Sequence, residues 1–347
     1  DPLSNVIVWM DKRGIKQQKD LLKLHDDDFY YKKTGWKLTA GGNLIQIKWL
    51  KDNRPEIFER TYKFLSTIDY INYKLMGEYI IDPTNAAMTY LFNIQKATWD
   101  EELLDVAEIQ KQKLPEVLKP GKVIGNLTTE AAMELGLNKY VKVISGGHDQ
   151  YCAAIGTGAI NDGDLFLSAG TAWVLMGIFN EPVFNSKTYI SPGRHIIDGL
   201  WGALVSVPTG GISIEWFKDN FGANVVHLAN QIEPESLKEV DHKASMVTER
   251  AKDVYFYPYY NGSGYPNYNK DVKASFMGLG LEHDRYDMAL AIMEGIAFEI
   301  NHAIEEFRKR GSRLDRLRMI GGGSKSRLWT EIISNVTGTS VITFKES

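Results

Sequence analysis

The sequence predicts an α/β protein of two domains, and three observations carry that reading. The chain has 347 residues, more than a single hydrophobic core usually organises. Near Lys142 its texture changes, from segments with apolar residues at helical spacing to short apolar runs separated by glycines. In the later part apolar runs end on glycines and resume as helical patterns, the corner from which α/β units are built. The expected domains are residues 1–142 and 143–347.

Taken in order, Val6-Ile7-Val8-Trp9 reads as a buried strand running into the polar turn from Met10 to Gly14. Helical spacing then recurs from Leu44 to Arg60, from Ser66 to Met76 and from Thr128 to Leu137, with Gly or Pro at the ends. Strand-like runs follow at Val143–Ser145, Leu165–Leu167, Val174–Met176 and Leu204–Val207. A long helical pattern from Asp287 to Arg310 leads into the strand-like Leu317–Ile320, a triple glycine and a last helix from Ser326 to Thr337. The tyrosine-rich run from Tyr255 to Tyr268 reads as a long ordered loop, either surface packing by amphipathic rings or a functional loop at a domain cleft.

Composition excludes several classes. Hydrophobic residues make up 44% and charged residues 24%, and no stretch approaches the roughly eighteen apolar residues of a membrane span. A net charge of −4 and a pI near 6.0 provide no field for nucleic acid or anionic lipid, so neither is an expected partner. Cys152 is the one cysteine and cannot form an internal disulfide, and the start at Asp1 lacks signal-peptide order. The cytoplasm is the expected compartment, with a homodimer as a candidate assembly.

The chemistry-bearing segments lie mostly in the second half. In Ile144-Ser145-Gly146-Gly147-His148-Asp149-Gln150 a strand meets a glycine pair and a helix, which sets Asp149 at the corner. Asp149 can be an N-cap, a general base, or both; His148 reads as its packed or hydrogen-bonded neighbour. Cys152, on the same helical face, reads as a small buried residue.

Ser168-Ala169-Gly170-Thr171 is a small-residue turn between strands, either plain or open enough for backbone N–H groups and the Thr171 hydroxyl to reach phosphate oxygens. Gly321-Gly322-Gly323-Ser324-Lys325-Ser326-Arg327 opens a helix and presents its free amides to an anion, without the glycine spacing of a Walker loop. Pro208-Thr209-Gly210-Gly211 opens another helix, through Glu215 and Trp216. Together these point to nucleotide binding and phosphoryl transfer. Cysteine and histidine spacing offers no metal site, and no G-x-S-x-G elbow is present.

In this order the segments resemble the FGGY carbohydrate kinases, the family of glycerol kinase, xylulokinase and gluconokinase. Trp9, Asp11 and Arg13 look like its tryptophan-x-aspartate-x-arginine strand end, and Asp69 to Gly77 with Asp82-Pro83-Thr84-Asn85-Ala86 resembles the middle of its first domain. The resemblance implies that Asp149 is the catalytic base and that Trp9, Asp11, Arg13, His148 and Asp149 face the sugar. It further implies that Gly170, Thr171, Gly210, Gly211, Glu215, Gly322, Gly323, Ser324 and Arg327 meet the nucleotide, with ATP and Mg2+ as cofactors.

The implied fold is two actin-like (ribonuclease H-like) domains with an interdomain cleft, the first incomplete. The family's opening phosphate hairpin and closing helices are expected to fall outside this chain. Gly41 stands where glycerol kinase has a tyrosine, which points to a ketose, aldonate or larger polyol, xylulokinase-like. The alternative is a non-catalytic sugar- or nucleotide-binding member of the actin-like superfamily.

Overall fold

The computed structural model describes residues 1–188, 190–222, 244, 253–263, 269, 271–311 and 313–345. The chain divides into two compact units, residues 1–152 with 191–201, and residues 153–190 with 202–347.

In the first unit, polar caps decide where helices start and left-handed glycines where they stop. After α1 (Ile15–Leu24), the Asp26 carboxylate accepts the Phe29 N–H at 2.9 Å to open α2 (Asp27–Thr34), which closes on Gly35 at φ 79°. Helix α3 (Asn43–Asn53) gives way to α4 (Pro55–Arg60) at Pro55, which cannot continue the hydrogen-bond ladder but suits a first helical turn. Ser66 and Asp69 form a reciprocal capping box for α5 (Thr67–Met76). Beyond it come β1 (Ile80–Ile81), α6 (Pro83–Ala87), β2 (Phe92–Asn93), β3 (Thr98–Trp99), α7 (Glu101–Ala107), β4 (Glu116–Val117), β5 (Val123–Asn126), α8 (Thr129–Leu135), β6 (Lys142–Ile144) and the start of α9 (Asp149–Gly156).

Among the described residues, strands β1 to β6 pair in twos: β1 parallel to β4, and β2 with β3 and β5 with β6 antiparallel. Tyr30, Leu44, Ile45, Ile81, Leu91 and Phe92 are among its fully buried side chains. Lys33 reaches the nearly buried Asp100 carboxylate at 3.0 Å, and Asn93 donates to the same group at 2.8 Å. The stretch 191–201 is tied to this unit by Arg194, which donates to the carbonyls of Ile94 and Gln95 at 2.6 and 2.7 Å.

The second unit is built on a sheet. Its elements are β7 (Leu165–Ala169), β8 (Trp173–Phe179), then, after β9 (Ser191–Arg194) of the first unit, β10 (Trp201–Val207), α10 (Gly210–Phe217), β11 (Tyr255–Tyr257), β12 (Ser275–Met277), α11 (Arg285–Arg308), β13 (Arg316–Ile320), α12 (Arg327–Thr337) and β14 (Ser340–Thr343). The unit's own sheet strands run β14-β13-β7-β8-β10. Strand β7 lies parallel to β13 and antiparallel to β8, and its near-continuous burial matches a central strand covered on both faces. Along α11, Leu290, Met293, Ala297, Ile300, Ile304 and Phe307 form the buried stripe, and α12 adds Trp329, Ile332 and Ile333 to the same core. At Gly295 a Cβ would lie 2.3 Å from the Phe256 carbonyl oxygen, so glycine lets β11 run hard against α11.

Two expectations are corrected. Val6 to Trp9 form no strand, and Val6, Val8 and Trp9 are exposed, Val6 by 78% and Trp9 by 79%; an apolar run becomes a strand only where a neighbour completes its ladder, and among the described residues none does. Cys152 is exposed, its Sγ 3.3 Å from the Gly147 carbonyl. By contact the chain divides at 152/153, and β6 pairs with β5 within the first unit. Of the tyrosine-rich run, residues 264–268 lie outside the described residues.

The buried charge of Asp69 generates a pH prediction. Its side chain is 1% exposed, and burial pushes its pKa from near 3.8 up to about 6, against the hydrogen bonds from Ser66 and with the Asp82 charge adding to the rise. The folded state therefore binds this proton more tightly than the unfolded state. The associated stability is complete below pH 4 and is lost as pH rises towards 6. Buried His195, pushed down to about 4, has the opposite sign and loses stability as pH falls from 6.5. Urea unfolding of wild type and Asp69→Asn between pH 4 and 7 isolates Asp69: the stability difference should shift in favour of the variant by up to about 3 kcal/mol as pH rises. Parallel curves would refute the assignment.

Candidate active site

In the first unit the predicted residues fall in two corners. At the first, the Trp9 carbonyl packs on Gly41 so closely that a Cβ there would sit 1.7 Å from the oxygen. The glycine at 41 thus answers to backbone contact. Gln46 donates to the Gly41 carbonyl at 2.9 Å, fixing the same bend. Asp11 accepts from the backbone N–H and the Nε of Arg13 at 2.8 and 2.9 Å, which holds its pKa below the usual carboxylate range. The Arg13 guanidinium lies 4.8 Å over the Trp49 ring. The Asp11–Arg13 pair is fixed by the turn, whereas the Trp9 ring is open to solvent.

The second corner holds His148 and Asp149. Here α9 begins at Asp149, and the first helical bond runs from the Cys152 N–H to the His148 carbonyl at 3.0 Å. His148, not Asp149, is the cap residue, because its carbonyl takes that first bond. This leaves the Asp149 carboxylate in the first turn, 77% exposed, with one oxygen accepting the Gln150 N–H at 2.7 Å. Nδ1 of His148 is 3.2 Å from that carboxylate, out of line for a hydrogen bond, and burial pulls the imidazole pKa down despite the neighbouring charge.

Behind this corner lies the Asp82–Ala86 segment, which the family resemblance picked out without giving any of its residues a role in the site. Asp82, buried as the cap of α6, accepts from the Thr84 and Asn85 N–H groups at 2.8 and 3.3 Å and from the Thr84 hydroxyl. The Thr84 oxygen in turn accepts the His148 N–H at 2.7 Å. Gly147 lets the segments close up, since a Cβ there would meet the Ile196 side chain at 2.4 Å. The same α6 segment reaches the first corner at its other end: Leu44 donates to the Thr89 carbonyl at 3.0 Å, and the Tyr90 ring packs on Gly42. One short segment therefore braces both corners. A cavity of about 430 Å³ elsewhere in this unit, lined by Lys63, Trp99 and Lys111, contains none of the predicted site residues.

In the second unit the three glycine corners meet around Trp173, which is fully buried. A Cβ on Gly210 would lie 2.2 Å from the indole, one on Gly323 2.8 Å from it, and one on Gly211 2.3 Å from the Gly170 carbonyl oxygen. The Ile212 N–H donates to the Thr171 carbonyl at 3.1 Å, joining the β7–β8 turn to the head of α10. Gly321, at φ 92°, packs over the Ala169 carbonyl, where a Cβ would come within 2.7 Å. The Ser324 hydroxyl donates to the Gly321 carbonyl at 2.7 Å, and the Ser326 hydroxyl caps α12 by accepting the Trp329 N–H at 3.0 Å.

What this cluster leaves open is backbone. Gly170, Thr171 and Gly322 are exposed at the turns that Trp173 braces from beneath. Such a surface can approach phosphate or ribose oxygens without side-chain interference. Glu215 is exposed on α10, and Arg327 is exposed and paired with Glu331 at 2.8 Å. Trp173 was visible in the sequence only as the end of the turn. Its role as the common support depends on three segments that meet only in the fold.

Residues 1–156 match the N-terminal domain of the FGGY family of carbohydrate kinases, and residues 165–347 match its C-terminal domain. A xylulose kinase of Staphylococcus epidermidis is 28% identical over 340 residues, and a gluconokinase of Bacillus subtilis 26% over 345. Each alignment covers 98% of this chain, which spans 66% of the length of either relative. The ligand-bound xylulose kinase structure from Lactobacillus acidophilus superposes with a TM-score of 0.89 at 27% identity, over all of this chain and 68% of that one. With both family domains matched in order over nearly its whole length, the chain belongs to the FGGY family of carbohydrate kinases.

Proposed function

We propose that the protein phosphorylates a hydroxyl of a sugar, sugar acid or polyol with ATP, and that Asp149 is the general base. The observation that carries the reading is the state of that carboxylate: exposed, on the first turn of a helix, and in a segment fixed from behind by Thr84. Catalytic proton acceptors need a rigid mount and an open face. In the proposed step Asp149 removes the hydroxyl proton as that oxygen bonds to the γ-phosphorus. The bond to the β,γ-bridging oxygen breaks, and ADP leaves.

Trp9, Asp11, Arg13 and His148 are assigned to the sugar side. Gly170, Thr171, Gly210, Gly211, Glu215, Gly322, Gly323, Ser324 and Arg327 are assigned to the nucleotide. Magnesium enters as MgATP, bound largely through phosphate oxygens and water. Among the described residues no group of three or more His, Cys, Asp or Glu could hold a metal by itself. No helix among the described residues is long and apolar enough to cross a membrane, and a cytoplasmic sugar kinase is the reading we adopt. Relatives named xylulose kinase and gluconokinase support a ketose or aldonate acceptor larger than glycerol.

The direct test is ADP release from MgATP across pentuloses, hexuloses, aldonates and polyols. Sugar-dependent release is expected, whereas sugar binding without turnover in a folded, intact protein would favour the non-catalytic alternative. Asp149→Asn should lower kcat by about 10² to 10⁴-fold with sugar affinity little changed; wild-type turnover would remove Asp149 from the mechanism. Gly211→Ala drives a methyl into the Gly170 carbonyl and should weaken MgADP binding by about 10- to 100-fold, as expected for overpacking of about 1–3 kcal/mol. Calorimetry showing unchanged ADP affinity in the folded variant would contradict the nucleotide assignment.

A further inference from the structure

We infer that Thr84 is a positioning residue for Asp149, acting through the His148 backbone, with Asp82 as its buried anchor. The inference rests on the reading of Asp149 as the base. Thr84 makes one hydrogen bond in each direction: its hydroxyl proton goes to the Asp82 carboxylate, and its oxygen accepts the His148 N–H at 2.7 Å. The Asp82 carboxylate is 2% exposed and is further pinned by Asn85, whose side-chain amide donates at 2.5 Å. A hydroxyl held by a buried carboxylate has its proton committed, so its lone pairs face the His148 N–H.

The bond joins residues 64 positions apart in the chain. It acts on the residue whose carbonyl takes the first hydrogen bond of α9, immediately before Asp149. A helix-start N–H has no intrahelical acceptor, so a loosened Thr84 frees the peptide that aims the carboxylate. Among the described residues the Asp149 carboxylate accepts the Gln150 N–H of its own first turn and otherwise stands beside the misaligned imidazole of His148. A threonine in a five-residue helix would otherwise be read as a surface-favouring cap neighbour, yet Thr84 is 2% exposed.

The test is Thr84→Val, which keeps the shape and deletes the hydroxyl, beside Thr84→Ser, which restores it. Misplacement of a reacting group by about 1 Å costs about 10²-fold in rate. Thr84→Val should therefore lower kcat by about 10- to 100-fold while KM for sugar and for MgATP stays within about threefold, and Thr84→Ser should recover most of the loss. In the Asp149→Asn background Thr84→Val should cost little more, because the residue it positions is already disabled.

A Thr84→Val enzyme with wild-type kcat, or one whose loss adds in full to that of Asp149→Asn, overturns the inference while leaving the kinase reading intact. A fully active Asp149→Asn enzyme overturns the kinase reading's base instead. Should Thr84→Val fail to fold, amide hydrogen exchange of the native protein decides: a slowly exchanging His148 N–H is expected, and one exchanging at the rate of an open amide overturns the proposal.

Discussion

The second unit is organised by close backbone approach to one indole. Trp173 is fully buried against Trp329, ring centroids 4.6 Å apart, and glycines 210 and 323 come onto its other edges at distances no side chain could tolerate. A rigid aromatic ring brings a large apolar area at low entropic cost, and it turns three loops into one surface. Because glycine is expensive to order, such loops keep a single conformation only when something beneath them dictates it. The β7–β8 turn, the head of α10 and the triple-glycine turn before α12 thus depend on one side chain, and the exposed amides above them are fixed as a by-product of core packing.

The first unit solves a different problem, that of holding a carboxylate still while leaving it wet. Two aspartates near the same corner divide the task. Asp82 is buried and saturated with donors, which is the condition under which a charge can be sequestered at all. Asp149 stays exposed and, among the described residues, accepts from its neighbour's backbone alone. Thr84 connects them, so the rigidity of the buried group reaches the open one through a hydroxyl and a peptide. One end of the α6 segment holds the His148 peptide and the chain just after it holds the bend at 41–44 on which Trp9 packs, so the polar network and that bend are built on a common support.

Much of this was legible in the sequence where local rules decide. Ser66 with Asp69, Thr128 and Ser326 mark helix starts, Gly77, Gly136 and Gly338 mark helix ends, and all of them behave as caps do in isolation. The strands from Leu165, Trp173 and Trp201 were visible as apolar runs because a sheet covered on both faces needs side chains largely of one kind. The run Val6 to Trp9 has the same composition but no described neighbour to complete its ladder, and it stays irregular. Pairing is a property of two segments, which a one-dimensional pattern cannot contain.

The residues themselves thus determined the element types, the glycine corners and the identity of Asp149 as an acidic residue at a helix start. Tertiary structure decided the rest: that Cys152 is open, that Thr84 reaches across the fold to the His148 amide, and that three glycine turns converge on Trp173. The division follows from range. Capping and periodicity act within a few residues and are written in local sequence, whereas desolvation, close approach and long-range hydrogen bonds exist only once distant segments have been brought together.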